Sequence, residues 1–139
     1  MTEANVLGVD FDGTIAGYEK GWQGAPGEDP IKGAREALRA FVMKGYTIII
    51  FSCRADNPQG VEDIRQWLLR HDMLQYVSDI THVKPRALAY IDDRGIAFRG
   101  DWLAAVQEVD RFAAKEREKQ KGKHDGGDGF THARPAQAH

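Results

Sequence analysis

The chain has 139 residues, of which 42% are hydrophobic and 29% charged, and its formal net charge is -2. These values are typical of one soluble globular domain, and they exclude a strong positive field that would attract nucleic acid or an anionic membrane. One cysteine, Cys53, excludes an intrachain disulfide, and no apolar run is long enough to span a bilayer. Because the first residues lack a signal-peptide pattern, we expect a cytoplasmic protein.

The first predicted elements are a buried strand and an amphipathic helix. The strand is the apolar run from Val6 to Asp10, which ends in an acidic residue. Asp29-Pro30 has the cap and first-position proline of a helix start, and an apolar stripe continues from there to Lys44. Gly45 is a typical helix stop, so we predict a helix between these signals.

A second strand and helix follow in the same order. Thr47 to Ser52 is a continuous run rich in β-branched residues, as in a central strand that is covered on both faces. Asn57-Pro58 repeats the cap and proline, and we predict a helix from there to about His71. Further short strands are predicted at 80–83, 87–91 and 96–98. Strands that alternate with helices indicate an α/β fold with a central parallel sheet.

The last predicted helix begins after Asp101. Its expected inner face consists of Trp102, Ala105, Val106, Val109 and Phe112. From about Lys115 the composition becomes polar, which predicts a fraying helix followed by disorder. We therefore expect a core over residues 1–114 and a charged, flexible tail over residues 115–139.

Polar side chains follow three of the predicted strands. Asp10 and Asp12 follow the first, Ser52 ends the second, and the pair Asp92 and Asp93 follows the strand at 87–91. Since parallel strands present their carboxyl ends at one edge of a sheet, these groups should meet there. Carboxylates at this edge require a cationic partner, and their oxygens are the ligands that Mg²⁺ prefers.

The remaining polar groups of this edge can bind an anion. Ser52 and the backbone amides from Phe11 to Gly13 can donate hydrogen bonds to phosphate oxygens. Lys84 precedes the fourth predicted strand. Its ammonium can neutralise the part of the phosphate charge that one bound Mg²⁺ does not neutralise. The residues therefore indicate a site for Mg²⁺ and a substrate phosphate.

These motifs resemble those of the haloacid dehalogenase (HAD) superfamily of phosphohydrolases. The four family motifs occur in the family's order, over about Val6 to Phe112, and the matching residues are Asp10, Asp12, Gly13 and Thr14, then Ser52, then Lys84, then Asp92 and Asp93. The resemblance implies an α/β, three-layer Rossmann-like fold with a central parallel sheet.

The resemblance also implies roles for these residues. Asp10 would be the nucleophile that forms an aspartyl-phosphate, and Asp12 the general acid and base. Mg²⁺ would be bound by Asp10, the Asp12 carbonyl and Asp92, with Asp93 acting directly or through water. Ser52, Lys84 and Gly13 would hold the phosphoryl group. An acid at Asp12 favours phosphatase or phosphomutase chemistry, because the dehalogenase and P-type ATPase branches lack it.

The spacing between the motifs leaves no room for a cap domain. Residues 15–29 are long enough only for a flap, which carries Trp22 as a possible stacking surface. The expected capless site is open. It would accept a macromolecular phosphate ester, such as a polynucleotide end or a phosphoprotein, or a small one enclosed by an oligomer.

Several alternatives stay open at the level of sequence. The chain could be a non-catalytic binding or regulatory module that has kept the HAD scaffold, or a phosphotransferase. Arg54 could contact the leaving group or form a surface ion pair, and Arg94 could orient Asp92 or Asp93. The helical tryptophans Trp67 and Trp102 are expected in the core.

Overall fold

The computed structural model describes residues 3–122, which divide after Asp93 into two compact units. The first unit, residues 3–93, contains strands β1 to β4 and helices α1 and α2, and the second, residues 94–122, contains α3. The bounds are β1 Val6–Val9, α1 Ala34–Met43, β2 Thr47–Phe51, α2 Pro58–Arg70, β3 Asp79–Thr81, β4 Ala89–Ile91 and α3 Trp102–Gly122. Short 3-10 turns occupy Glu3–Asn5, Cys53–Asp56 and Leu74–Tyr76.

The four strands form one parallel sheet in the order β3-β2-β1-β4, which confirms the α/β class. From β1 the chain adds β2 and β3 on one side and then returns to the other side of β1 for β4. The direction of strand addition therefore reverses between β1 and β4. In open α/β sheets, such a reversal leaves a crevice at the carboxyl ends of the strands, where ligands bind.

The core of the first unit lies on one face of this sheet. Leu7 and Ile48 are registered neighbours on that face, and they belong to one buried cluster with residues of α1 and α2. Trp67 of α2 is fully buried and meets the Phe11 ring edge-on, with 5.0 Å between ring centroids. The predicted core position of Trp67 is confirmed, and α2 is thereby fixed against the turn after β1.

The start of α1 differs from the prediction. The helix begins at Ala34, after Gly33, and not at Asp29-Pro30. Two backbone hydrogen bonds hold the expected start in an extended arrangement, from the Gly17 amide to the Asp29 carbonyl (2.9 Å) and from the Ile31 amide to the Ile15 carbonyl (2.8 Å). A tertiary contact thus overrides the local helix signal.

The start of α2 agrees with the prediction. Pro58 is its first residue, and the Asn57 side chain accepts a hydrogen bond from the Gly60 amide at 2.9 Å. Gly60 lies so close to the preceding turn that a Cβ there would be 1.6 Å from the Arg54 carbonyl oxygen. The approach of α2 to the segment that carries Arg54 therefore requires glycine at this position.

We expect Gly60→Ala to destabilise the protein by about 3 kcal/mol, because the added methyl must displace backbone atoms of Arg54. Urea denaturation measures the change. Gly27→Ala is the matched control, since a Cβ at Gly27 would meet no atom within 4 Å. Equal unfolding midpoints for the two variants would contradict the close approach.

The second unit contains α3 but not the strand predicted at 96–98. The helix begins after Asp101, whose side chain caps it by accepting from the Ala104 amide at 3.2 Å, as predicted. The predicted core position of Trp102 is wrong, because Trp102 is 74% exposed. Within residues 94–122 there is no strand against which the apolar stripe of α3 can pack.

Helix α3 continues beyond Lys115, where fraying was predicted, to Gly122. The segment is rich in strong helix formers, and the Lys119 ammonium lies 3.5 Å from Glu116 one turn earlier. The boundary expected after residue 114 falls inside this helix, and the predicted disorder over residues 123–139 lies outside the described residues. Between residues 3 and 122, no helix has the length and hydropathy to cross a membrane.

Candidate active site

A tight turn places the first acidic residues at the end of β1. The Asp10 amide donates to the Ile91 carbonyl of β4 at 2.9 Å, which continues the sheet by one residue. The Phe11 carbonyl then accepts hydrogen bonds from the amides of Ile15 and Ala16, at 2.9 and 3.0 Å. Since the side chains of Phe11 and Ile15 are both buried, the turn is anchored to the core from both ends.

Asp10 is a buried carboxyl group, only 4% exposed, and lies near two other carboxyl groups. Its Oδ1 accepts from the Phe11 amide at 2.8 Å. The pKa of Asp10 is raised to about 8, mainly by burial and further by the neighbouring Asp93 and Asp12, while the hydrogen bond from Phe11 acts in the opposite direction. The ionised form therefore requires a cation.

Asp93 packs beside the turn at Gly13. A Cβ at Gly13 would lie 2.5 Å from Asp93 Oδ2, and the backbone there has φ +81°, so the position requires glycine. The Gly13 amide donates to the Ala16 carbonyl at 2.8 Å, and the Phe11 amide is engaged with Asp10. The predicted donation of these two amides to phosphate would require both bonds to be exchanged. What the structure shows for Gly13 is close approach to Asp93.

Asp12 forms a buried two-point ion pair with Arg54. The distances are 2.7 Å from Arg54 Nε to Asp12 Oδ2 and 2.9 Å from Nη2 to Oδ1. The side chains are 6% exposed for Arg54 and 11% for Asp12, so the alternative of a surface ion pair is wrong. Two parallel bonds of this kind fix both the position and the orientation of the Asp12 carboxylate.

Ser52 lies at the end of β2, within the same arrangement. It is buried, its amide donates to the Thr81 carbonyl of β3 at 2.9 Å, and its Oγ accepts from the Arg54 amide at 3.2 Å. The predicted phosphate-binding hydroxyl and the partner of Asp12 are thus held in one short turn. The hydroxyl proton of Ser52 remains free to be donated to an anion.

Residues 17–28, named the flap here, are fastened at several points. The Glu28 carboxylate accepts from the amides of Glu19 (3.1 Å) and Lys20 (2.8 Å), and Trp67 Nε1 donates to the Glu28 carbonyl at 2.9 Å. Arg54 donates to the Gly24 carbonyl, and its guanidinium carbon lies 4.4 Å from the centroid of the Trp22 ring. Arg54 therefore joins the flap to Asp12.

Lys84 is exposed and lies over an aromatic ring. Its Nζ is 4.2 Å from the centroid of Tyr90, a residue of β4 that the sequence did not single out. The Tyr90 ring also packs over Gly8, where a Cβ would be 2.8 Å from Tyr90 Cδ1. Side chains alternate along a strand, so Gly8 and Asp10 share a face. Tyr90 thus holds the ammonium on the Asp10 face, where Lys84 forms no ion pair with any residue of 3–122.

The predicted metal ligands are brought together in part. The structure shows interactions of Asp10 with Asp93 and Asp12, while Asp92 follows the β4 residue to which the Asp10 amide is bonded. Among residues 3–122, no three His, Cys, Asp or Glu side chains are grouped as a metal site. The carboxyl pair of Asp10 and Asp93 nevertheless fits Mg²⁺, which is commonly bound through one or two carboxylates with water completing its shell.

Comparisons with known proteins support the fold. No family model and no curated protein matches the chain. A solved structure of a conserved protein from Bacteroides thetaiotaomicron is similar, with a TM-score of 0.54 and 20% sequence identity. The match covers 78% of this chain and 92% of the other. At this identity the similarity concerns the fold alone.

Proposed function

We propose that the protein is a Mg²⁺-dependent phosphomonoester hydrolase of the HAD type, which acts through an aspartyl-phosphate on Asp10. The observation that carries this proposal is the position of Asp10, buried beside Asp93 and Asp12 at the carboxyl end of β1. Burying the Asp10 carboxyl group next to two other carboxyl groups is unfavourable for folding, so this arrangement indicates a functional site.

Asp10 and Asp12 have different roles in the proposed reaction. Asp10 Oδ attacks phosphorus and the bond to the leaving oxygen breaks, which splits one displacement into two steps. Asp12, which must take up a proton from solvent when a bond to Arg54 opens, gives that proton to the leaving oxygen and then takes one from the water that hydrolyses the intermediate. Because Arg54 occupies both oxygens of Asp12, at least one of these bonds must open during turnover.

The transferring phosphoryl group needs donors and positive charge. Ser52 Oγ can donate one hydrogen bond. The Lys84 ammonium supplies a positive charge, and it forms no ion pair with another residue within 3–122. Mg²⁺ held by the carboxylates of Asp10 and Asp93 or Asp92, with the Asp12 carbonyl, would neutralise the charge of the phosphate. These features together favour phosphoryl transfer to Asp10.

Phosphatase activity should require a hard divalent cation, with Mg²⁺ best or nearly so, because the site offers only oxygen ligands. The assay is phosphate release by the purified protein from a panel of sugar phosphates, nucleotides, phosphopeptides and phosphorylated oligonucleotides. We expect EDTA to abolish release and excess Mg²⁺ to restore it. Full activity after exhaustive chelation would contradict the site, and no release from any ester would favour a non-catalytic binding module.

A further inference from the structure

A cavity lies under the flap, beside the general acid. Its volume is about 140 Å³, and one side is open. Asp12 and Arg54 form the wall next to the site, and the flap supplies most of the remainder, including the polar side chains of Tyr18, Lys20, Gln23 and Glu28. The cavity is thus a feature of the flap rather than of the carboxyl cluster.

The position of the cavity fits the leaving group of a phosphate ester. In an in-line displacement, the leaving oxygen departs on the side opposite the nucleophile, and the general acid must stand there. Asp12 lines the cavity, whereas the described residues of its wall do not include Asp10 or Ser52. The cavity therefore lies on the acid's side of the reacting phosphorus.

The size of the cavity limits its occupant. A protein cavity of about 150 Å³ accommodates benzene, so about 140 Å³ is room for one six-membered ring. The contacts of Arg54 with Trp22 and with the Gly24 carbonyl hold the flap in place. A single ring can therefore occupy the cavity while these contacts of the flap stay in place.

The lining favours a polar ring. The lining contains the hydroxyl residue Tyr18, the amide residue Gln23 and the ammonium residue Lys20, and the Gln23 amide donates to the Lys20 carbonyl at 3.3 Å. The Glu28 carboxylate is already engaged with two backbone amides of the flap, so it adds little repulsion toward electron-rich groups. Such a wall, which presents more polar than apolar surface, can bind several hydroxyl groups.

We propose that this cavity is the leaving-group subsite and that its occupant is one hydroxylated ring, as in a pentose or hexose monophosphate. The proposal rests on the proposed function and replaces the open site expected from sequence with a ring-sized one. A monosaccharide phosphate should then be hydrolysed with higher kcat/KM than a phosphopeptide or a 5′-phosphorylated oligonucleotide.

The test fills the cavity and compares a ring-bearing ester with one that has none. Ala25 lines the cavity, and Ala25→Trp should lower kcat/KM for pentose and hexose monophosphates by about tenfold or more, with acetyl phosphate changed less than about twofold. Ala40→Trp places the same side chain at an exposed alanine of α1 and should change neither. Gly27→Leu is the second filling variant, should Ala25→Trp fail to fold.

Binding separates this proposal from the proposed function. Calorimetry with hexose monophosphates on Asp10→Asn, with and without Ala25→Trp, reports occupancy of the cavity without turnover. Binding that Ala25→Trp removes supports the subsite even if the wild-type protein hydrolyses no ester. An equal effect of Ala25→Trp on sugar phosphates and acetyl phosphate, or no effect on either, would overturn the subsite, as would failure of every sugar phosphate both to bind and to be hydrolysed.

Discussion

Asp10→Asn should remove essentially all phosphatase activity and, at the same time, stabilise the metal-free protein. Activity is lost because the neutral amide cannot attack phosphorus. Stability rises because the substitution removes a carboxyl group that is buried beside Asp93 and Asp12. A gain of stability with a loss of function is typical of a residue that the fold retains for its chemistry.

The stabilisation should depend on pH in a defined direction. The pKa of Asp10 is raised from an ordinary 3.8 to about 8 in the folded state, so the folded protein keeps a proton that the unfolded chain has released. The free energy of unfolding of the metal-free protein should therefore fall as pH rises from 4 to 8, by a few kcal/mol. Asp10→Asn should lack this part of the slope.

Urea denaturation in EDTA at several pH values, with circular dichroism to verify the fold, measures this effect. Asp110→Asn is the matched control, because Asp110 is an exposed aspartate of α3 and should leave both activity and the pH slope unchanged. Mg²⁺ should stabilise the wild-type protein more at pH 8 than at pH 5, since it binds the ionised carboxylates. Near-normal turnover in a natively folded Asp10→Asn variant would refute the mechanism.

Arg54→Met should reduce both stability and activity. It leaves the Asp12 carboxylate buried without its partner and removes the contacts to Gly24 and Trp22, so we expect a loss of about 3–5 kcal/mol in stability. Phosphatase activity should fall by about 100-fold or more, because Asp12 is no longer oriented. Denaturation and steady-state kinetics measure the two losses.

Two further variants make this prediction specific. Arg35→Met breaks a comparable ion pair with Asp72. The side chains of Arg35 and Asp72 are 37% and 69% exposed, so this substitution should lower the stability by less than about 1 kcal/mol. The double variant Arg54→Met/Asp12→Asn should recover much of the lost stability and none of the activity, because it removes the unpaired charge. Equal losses of stability in Arg54→Met and Arg35→Met would contradict a buried pair.

Local signals in the sequence predicted much of the fold. Thr47–Phe51 is a strand because its β-branched run suits a covered sheet position, and α2 begins at Pro58 because Asn57 caps it. The start of α1 could not be predicted in this way. It depends on backbone bonds between Ile31 and Ile15 and between Gly17 and Asp29, which pair segments that only the folded chain brings together.

The same distinction applies to the candidate site. Strand ends indicated Asp10, Asp12 and Ser52, because a parallel sheet collects its carboxyl ends at one edge. The pairing of Asp12 with Arg54 joins residues 42 positions apart, and no periodicity or motif spacing encodes it. The position of Arg54 two residues after Ser52 was the one available signal, and it did not distinguish a buried partner from a surface one.

Chemical trapping of the intermediate tests the mechanism most directly. Borohydride reduces an acyl phosphate to an alcohol, so treatment during turnover with Mg²⁺ and a phosphate ester should convert Asp10 to homoserine, which peptide mass spectrometry detects. We expect the conversion at Asp10 alone, dependent on both substrate and Mg²⁺, and absent with EDTA. Steady hydrolysis of the ester with unmodified Asp10, or with the modification at another carboxylate, would contradict an aspartyl-phosphate on Asp10.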